Sequence, residues 1–85
     1  MSELPLSGSR VVIAGELETM NRHEAHVAIF NAGGKPRRFV SERTDWLVLG
    51  RNPDGWRIHL AELTGAHICT ERWFREHKLD MPPLT

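Results

Sequence analysis

Apolar residues follow two rhythms along this chain. Val11, Val12, Ile13 and Ala14 form an unbroken run of branched and small side chains that Gly15 ends, which predicts a short β-strand over residues 10–14. Ala25, Ala28, Ile29 and Ala32 then recur at i, i+3, i+4 and i+7, the face of a helix. Asn21, with Glu24 three positions on, has the spacing of a capping box at its start. Gly33 and Gly34 stand where a left-handed residue closes a helix. Residues 36–40 and 45–50 are two further strand candidates, separated by the polar Ser-Glu-Arg-Thr, and the second ends at Gly50. Asn-Pro and Asp-Gly pairs mark 51–55 as a loop. A helix over 56–64 stops at Gly65, and 66–69 form a last strand. Thr70 caps a final helix over 71–78 that offers Trp73 and Phe74 to the core. Two prolines prevent 80–85 from extending that helix, so a domain over 1–80 with a tail or linker over 81–85 is expected.

Strand, helix, strand, strand, helix, strand, helix is the order of a small α/β domain whose mostly parallel sheet is covered on both faces. With 85 residues there is room for one such core, since domains usually take about 50 to 200 residues. Apolar residues at 40% and charged ones at 26% place the chain among ordinary globular domains. No apolar run approaches the roughly 20 residues of a spanning helix, and the first ten residues lack the basic-then-apolar order of a secretory signal. A single cysteine, Cys69, permits no internal disulfide and suits the reducing interior of a cell. Within "AHICT" it reads as a small buried hydrophobe.

The net charge of zero hides an uneven distribution. Residues 35–57 carry Lys35, Arg37, Arg38, Arg43, Arg51 and Arg57 against Glu42, Asp45 and Asp54, so an anion would be drawn there. Each of these cations is also an ordinary solvated side chain when taken alone. The strand that runs into Gly15 ahead of a helix can cradle a phosphate, and it can equally be a turn.

Other chemistry finds no machinery. His23 and His26 are three apart, not at His-Glu-x-x-His spacing, and two imidazoles fall short of a zinc set, so no metal is expected. Ser7 and Ser9 flank a glycine without the Gly-x-Ser-x-Gly elbow of a hydrolase. Neither a Gly-x-x-x-x-Gly-Lys-Ser/Thr loop nor a Gly-x-Gly-x-x-Gly turn is present, so no nucleotide cofactor has a seat.

In order along the chain, "LSGSRVVIAGEL", "NRHEAHVAIFNAGGK", "VSERTDWLVLG" and "AELTGAHICTERWF" resemble a BRCT domain over about residues 6–78. Gly15, Gly33-Gly34-Lys35, Val40-Ser41, Thr44, Leu47-Val48, Gly50 and Trp73 match the family's pattern. The resemblance implies a four-stranded parallel sheet in the order 2-1-3-4, with the first and third helices on one face and the second on the other. It also implies a non-catalytic docking module of DNA repair and replication proteins, whose partners are DNA ends, phosphopeptides or other protein domains.

Within the family the chain is most similar to the single-repeat type of replication factor C large subunits and NAD-dependent DNA ligases. In that type a phosphate sits between Ser/Thr-Gly at the end of strand 1, an Arg opening helix 1 and a Lys opening helix 2. Here those positions hold Ala14 and Gly15, Arg22, and Arg57, so two cations and a backbone N–H remain and the hydroxyl is absent. The expected site is therefore Gly15, Arg22 and Arg57, converging on a DNA phosphate such as a 5′-phosphorylated end. Lys35, Arg37 and Arg38 would track the adjoining backbone. Docking on a DNA-repair or replication protein, with or without a phosphopeptide, is the alternative.

Overall fold

The computed structural model describes residues 4–79; the tail expected over 81–85 lies outside them. Its elements are β1 (Arg10–Ala14), α1 (Arg22–Asn31), β2 (Lys35–Arg37), β3 (Trp46–Leu49), α2 (Gly55–Thr64), β4 (His67–Thr70) and α3 (Glu71–His77). The four strands are all parallel and lie in the order β2-β1-β3-β4.

Alternation along the two central strands sorts the core into two layers. Val11 and Ile13 of β1 and Val48 of β3 point to one face, where they meet Leu6, Ala25, Ile29 and Ala32 around α1 and Phe74 of α3. Val12, Ala14 and Leu47 point to the other face and meet Ala61 of α2. The register pairs Val12 with Leu47 and Ile13 with Val48, so partners across the ladder share a layer. Helices α1 and α3 thus cover one face and α2 the other, as the resemblance implied.

Helix α1 is defined at both ends by its own residues. Asn21 Oδ1 accepts from Glu24 N at 2.7 Å while Glu24 Oε1 accepts from Asn21 N at 3.0 Å, the reciprocal capping box. At the other end Gly34 N donates to Ile29 O at 2.9 Å and Gly33 N to Phe30 O at 3.0 Å. This is a Schellman closure, and the φ of 88° at Gly33 explains why glycine stands there.

Two expectations are corrected. The strand expected over 36–40 is Lys35–Arg37, and Phe39 is 68% exposed. Strand β2 is an edge strand that pairs only with Arg10, Val11 and Val12, and its pairing stops two residues before β1 ends at Ala14; Pro36 is tolerated because an edge strand has an unused N–H side. Of the two α3 aromatics only Phe74 is buried. Trp73 is 38% exposed and stacks on Trp46 (ring centroids 5.5 Å apart) and on His77 (4.6 Å) instead. No helix among the described residues is long and apolar enough to cross a membrane.

Candidate functional site

In a parallel sheet all strands finish at the same end, and this end collects the basic residues. Gly15 follows the end of β1, Arg38 the end of β2 at Arg37, and Gly50 and Arg51 the end of β3, while α1 opens with Arg22 and α2 carries Arg57 in its first turn. The chain leaves β1 toward α1 on one face and leaves β3 toward α2 on the other. The crevice between β1 and β3 is therefore the switch point where open α/β sheets bind their ligands.

At this crevice the two strands approach more closely than side chains allow. Gly50 N donates to Ala14 O at 2.8 Å, Glu16 N to Arg51 O at 3.0 Å, and Arg51 N to Glu16 O at 2.7 Å. A Cβ on Gly15 would run into the Arg51 carbonyl and come within 3.1 Å of Pro53 Cα; one on Gly50 would run into the Glu16 carbonyl. Gly15 also has a φ of 84°. Both glycines are thus required by the backbone itself, whatever binds beside them.

Gly15 and Arg22 line one hollow of about 400 Å³ together with Ile13, Glu16, Leu17, Met20 and Asn21. Arg22 is the first residue of α1, held there by the Asn21 cap, where the helix dipole opposes its charge. One turn further along the helix is His26. Burial, and then the charges of Arg22, Arg38 and His23, hold its imidazole below the ordinary histidine range. His26 thus lies within reach of the charges of Arg22 and Arg38, and among the described residues no carboxylate forms an ion pair with either arginine.

Arg57, expected beside Gly15, is already engaged by its own neighbours. It is not among the residues lining the hollow. Its Nη1 donates to Asp54 Oδ2 in an ion pair, its Nη2 donates to Arg38 O at 3.4 Å, and its guanidinium lies 4.5 Å from the Trp56 ring centroid. Asp54 is the N-cap residue of α2 and makes no side-chain cap, its carboxylate being used on Arg57. Lys35 and Arg37 are exposed on the β2 edge. The fold thus brings Gly15 and Arg22 to one hollow, while Arg57 touches the Arg38 carbonyl with its charge already matched by Asp54.

A second hollow of about 400 Å³ lies between the end of β3 and α3. Its three arginines (Arg51, Arg72 and Arg75) face three glutamates (Glu18, Glu71 and Glu76), so it has no net attraction for an anion. Glu71 nevertheless organises the site from behind. Its buried carboxylate accepts from Glu18 N at 2.7 Å, from Thr19 N at 2.9 Å and from the Thr19 hydroxyl, tying the β1–α1 loop to the start of α3. Burial opposes its ionisation, but these hydrogen bonds and Arg75 outweigh burial and hold the carboxyl below the usual range. Sequence reasoning missed Glu71, whose partners lie 52 and 53 residues away. Cys69 is half-buried, and burial pushes its thiol up to about 12 against the influence of Lys78, so it supplies no thiolate nucleophile.

Comparison with known proteins bears directly on this arrangement. The family model of the BRCA1 C Terminus (BRCT) domain matches residues 1–78. The chain is 41% identical over 69 residues to a DNA ligase of Renibacterium salmoninarum, covering 81% of this chain and 9% of that protein. It is 44% identical over 69 residues to a DNA ligase of Bifidobacterium animalis subsp. lactis (81% and 8%) and 42% identical over 67 residues to one of Chlamydia pneumoniae (79% and 10%). The chain spans about a tenth of the length of these curated relatives. A parallel sheet in the order 2-1-3-4, its helices divided two to one between the faces, and a family match over nearly the whole length lead to one statement: the chain belongs to the BRCT family.

Proposed function

We propose that this chain is a binding module of a DNA-processing protein and that it holds a DNA phosphate, most simply the 5′-phosphate of a duplex end, at the C-terminal end of its sheet. The observation that carries the proposal is the Gly15–Arg22 hollow at the opening of α1, where Arg22 forms no ion pair with a carboxylate among the described residues. An anion there would relieve the opposition of Arg22 to the α1 dipole. Lys35 and Arg37 extend the positive edge toward an adjoining backbone. Arg57 contributes from the rim, its guanidinium shared with Asp54. That curated relatives carry the name DNA ligase supports a DNA substrate; the ligase activity is a property of proteins about ten times longer, and the role assigned to this segment is binding without catalysis.

Ala14 is fully buried and has no hydroxyl to give a phosphate. A hydrogen bond to a charged group contributes about 1.5 to 3 kcal/mol, so affinity at this seat is lower by roughly ten- to a hundredfold than with a hydroxyl in place. Ala14 and the Asp54–Arg57 pair together favour phosphate-independent docking on a protein as the second reading.

The test is a titration of 5′-phosphorylated and unphosphorylated duplex at two salt concentrations. Preference for the phosphorylated end, a steep loss of affinity with salt, and an about tenfold weakening in Arg22→Ala are expected. Equal affinity for the two duplexes would remove the end-recognition claim, and no binding of either would leave protein docking.

A further inference from the structure

The two edges of the sheet are finished differently. Strand β2 closes one side with Lys35, Pro36 and Arg37, charged side chains and a proline of the kind that keeps an edge from pairing with another strand. Strand β4 closes the other side with His67, Ile68, Cys69 and Thr70, which include no carboxylate, lysine, arginine or proline. Among the described strands it pairs with β3 alone. His67 N donates to Asp45 O at 2.9 Å, and ladder groups alternate along a strand, so Ile68 turns its N–H and C=O to the open side. Ile68 itself is 37% exposed.

Beside this edge lies a hollow of about 430 Å³ lined by Trp46, His67, Ile68, Cys69, Thr70 and Trp73. The half-exposed Trp73 is stacked on Trp46 and on His77, and Trp46 in turn lies 4.9 Å from the His67 ring, so the rings form one fixed shelf on the α3 side of the strand. Lys78 Nζ stands 4.7 Å from the Trp46 ring centroid and 6.0 Å from that of Trp73. A ring face attracts a cation without cancelling its charge, and among the described residues Lys78 forms no ion pair with a carboxylate.

We propose that the β4 edge docks an extended segment of a partner protein as a fifth strand, with an apolar side chain on the Trp73 shelf and, two residues along on the same face, a carboxylate that meets Lys78. Main-chain bonds to Ile68 hold such a segment and the shelf selects it, the division of labour usual in strand addition. On the other face Ile68, whose register partner Leu47 lies in the layer under α2, favours a β-branched neighbour. Charge complementarity chooses this occupant over a second copy of the chain, because Lys78 calls for an acid and β4 has none to offer in return. Strand β3 separates β4 from β1, whose end carries the Gly15–Arg22 hollow. The inference is therefore independent of the phosphate reading.

The probe is the end-capped peptide Thr-Val-Leu-Val-Glu-Val-Thr, titrated into the isotope-labelled whole chain with amide shifts read residue by residue. Saturable shifts centred on Ile68 and its neighbours in β4 are expected, and a peptide with lysine for the glutamate should bind about fivefold more weakly. Lys78→Glu should reverse that preference, and Trp73→Ala should weaken the parent peptide about tenfold. Ile68→Pro, which removes the outward N–H as Pro36 does at the other edge, should abolish binding. Circular dichroism verifies the fold of each variant, and Lys78→Glu with Trp73→Ala decides the matter if Ile68→Pro does not fold. No saturable shift up to about 1 mM peptide, shifts centred away from β4, or a glutamate preference unchanged in Lys78→Glu overturns the proposal. Sedimentation of the free chain tests the other occupant. A monomer is expected, whereas a dimer that dissociates in His67→Lys, a charge set on the edge, would give β4 to a second copy and overturn the acidic segment.

Discussion

Gly15 shows how one residue can satisfy a family's site pattern and a backbone constraint at once. Its φ of 84° and the Arg51 carbonyl beside it mean that any side chain is strained there before a ligand is considered. Gly15→Ala should therefore lower stability by at least about 2 kcal/mol, combining the cost of a non-glycine residue in the left-handed region with overpacking against backbone. The shift is read from the urea midpoint at unchanged slope, and a variant of wild-type stability would show that the β1–β3 crossing relaxes freely. A consequence for the site is that Gly15 variants are poor probes of phosphate binding, because they disturb the scaffold. Arg22, exposed and held by its helix, is the residue that separates binding from folding. The sequence alone placed Arg22 correctly at the opening of α1, since the capping box is local. It could not place the Arg57 guanidinium, whose orientation is decided by Asp54, Trp56 and the carbonyl of Arg38.

Among the elements, α1 and β2 mark the two extremes of what a pattern can specify. Helix α1 declares itself through a cap, an apolar face and a Gly-Gly close, and its observed bounds fall within one residue of these signals. Strand β2 is Lys-Pro-Arg, with no apolar alternation at all; its position is set by pairing to β1, and the apolar Phe39 and Val40 that suggested a longer strand lie outside it. Edge strands are often polar because an exposed apolar edge invites aggregation, so their legibility is low for a physical reason. The capping box can be tested on its own. Asn21→Ala removes the acceptor for Glu24 N and should cost about 1 kcal/mol, while Asn21→Asp, which keeps an N-cap acceptor, should cost little. Equal losses for both in equilibrium unfolding would mean that the cap does not define the start of α1. Because Arg22 is the next residue, fraying there would also loosen the cation that lines the hollow.

Across the whole molecule, the two hollows that share the β1–α1 loop differ in charge. One holds Arg22 in no ion pair with a carboxylate among the described residues, and the other balances arginines against glutamates. A net charge of zero is thus compatible with anion binding, since the field at one site follows local placement rather than the sum. The loop between β1 and α1 is the wall common to both hollows, and Glu71 fastens it to α3. That fastening depends on ionisation. Because the folded-state pKa of Glu71 lies below the unfolded glutamate value of about 4.3, the unfolded chain binds its proton first as pH falls. The contribution of Glu71 is therefore fully present above the unfolded pKa and is lost as pH drops through the folded one. Glu71→Gln should destabilise the domain at pH 7 by about 1.5 to 3 kcal/mol, the usual worth of hydrogen bonds to a charged group. The gap between variant and wild type should narrow as the buffer is taken from neutral pH to about pH 3, below the unfolded glutamate value. Urea titrations of both proteins across that range check the claim, with the other carboxylates common to both backgrounds. A gap that stays constant with pH would assign the loss in Glu71→Gln to packing alone, and the loop would then be held by shape and not by charge.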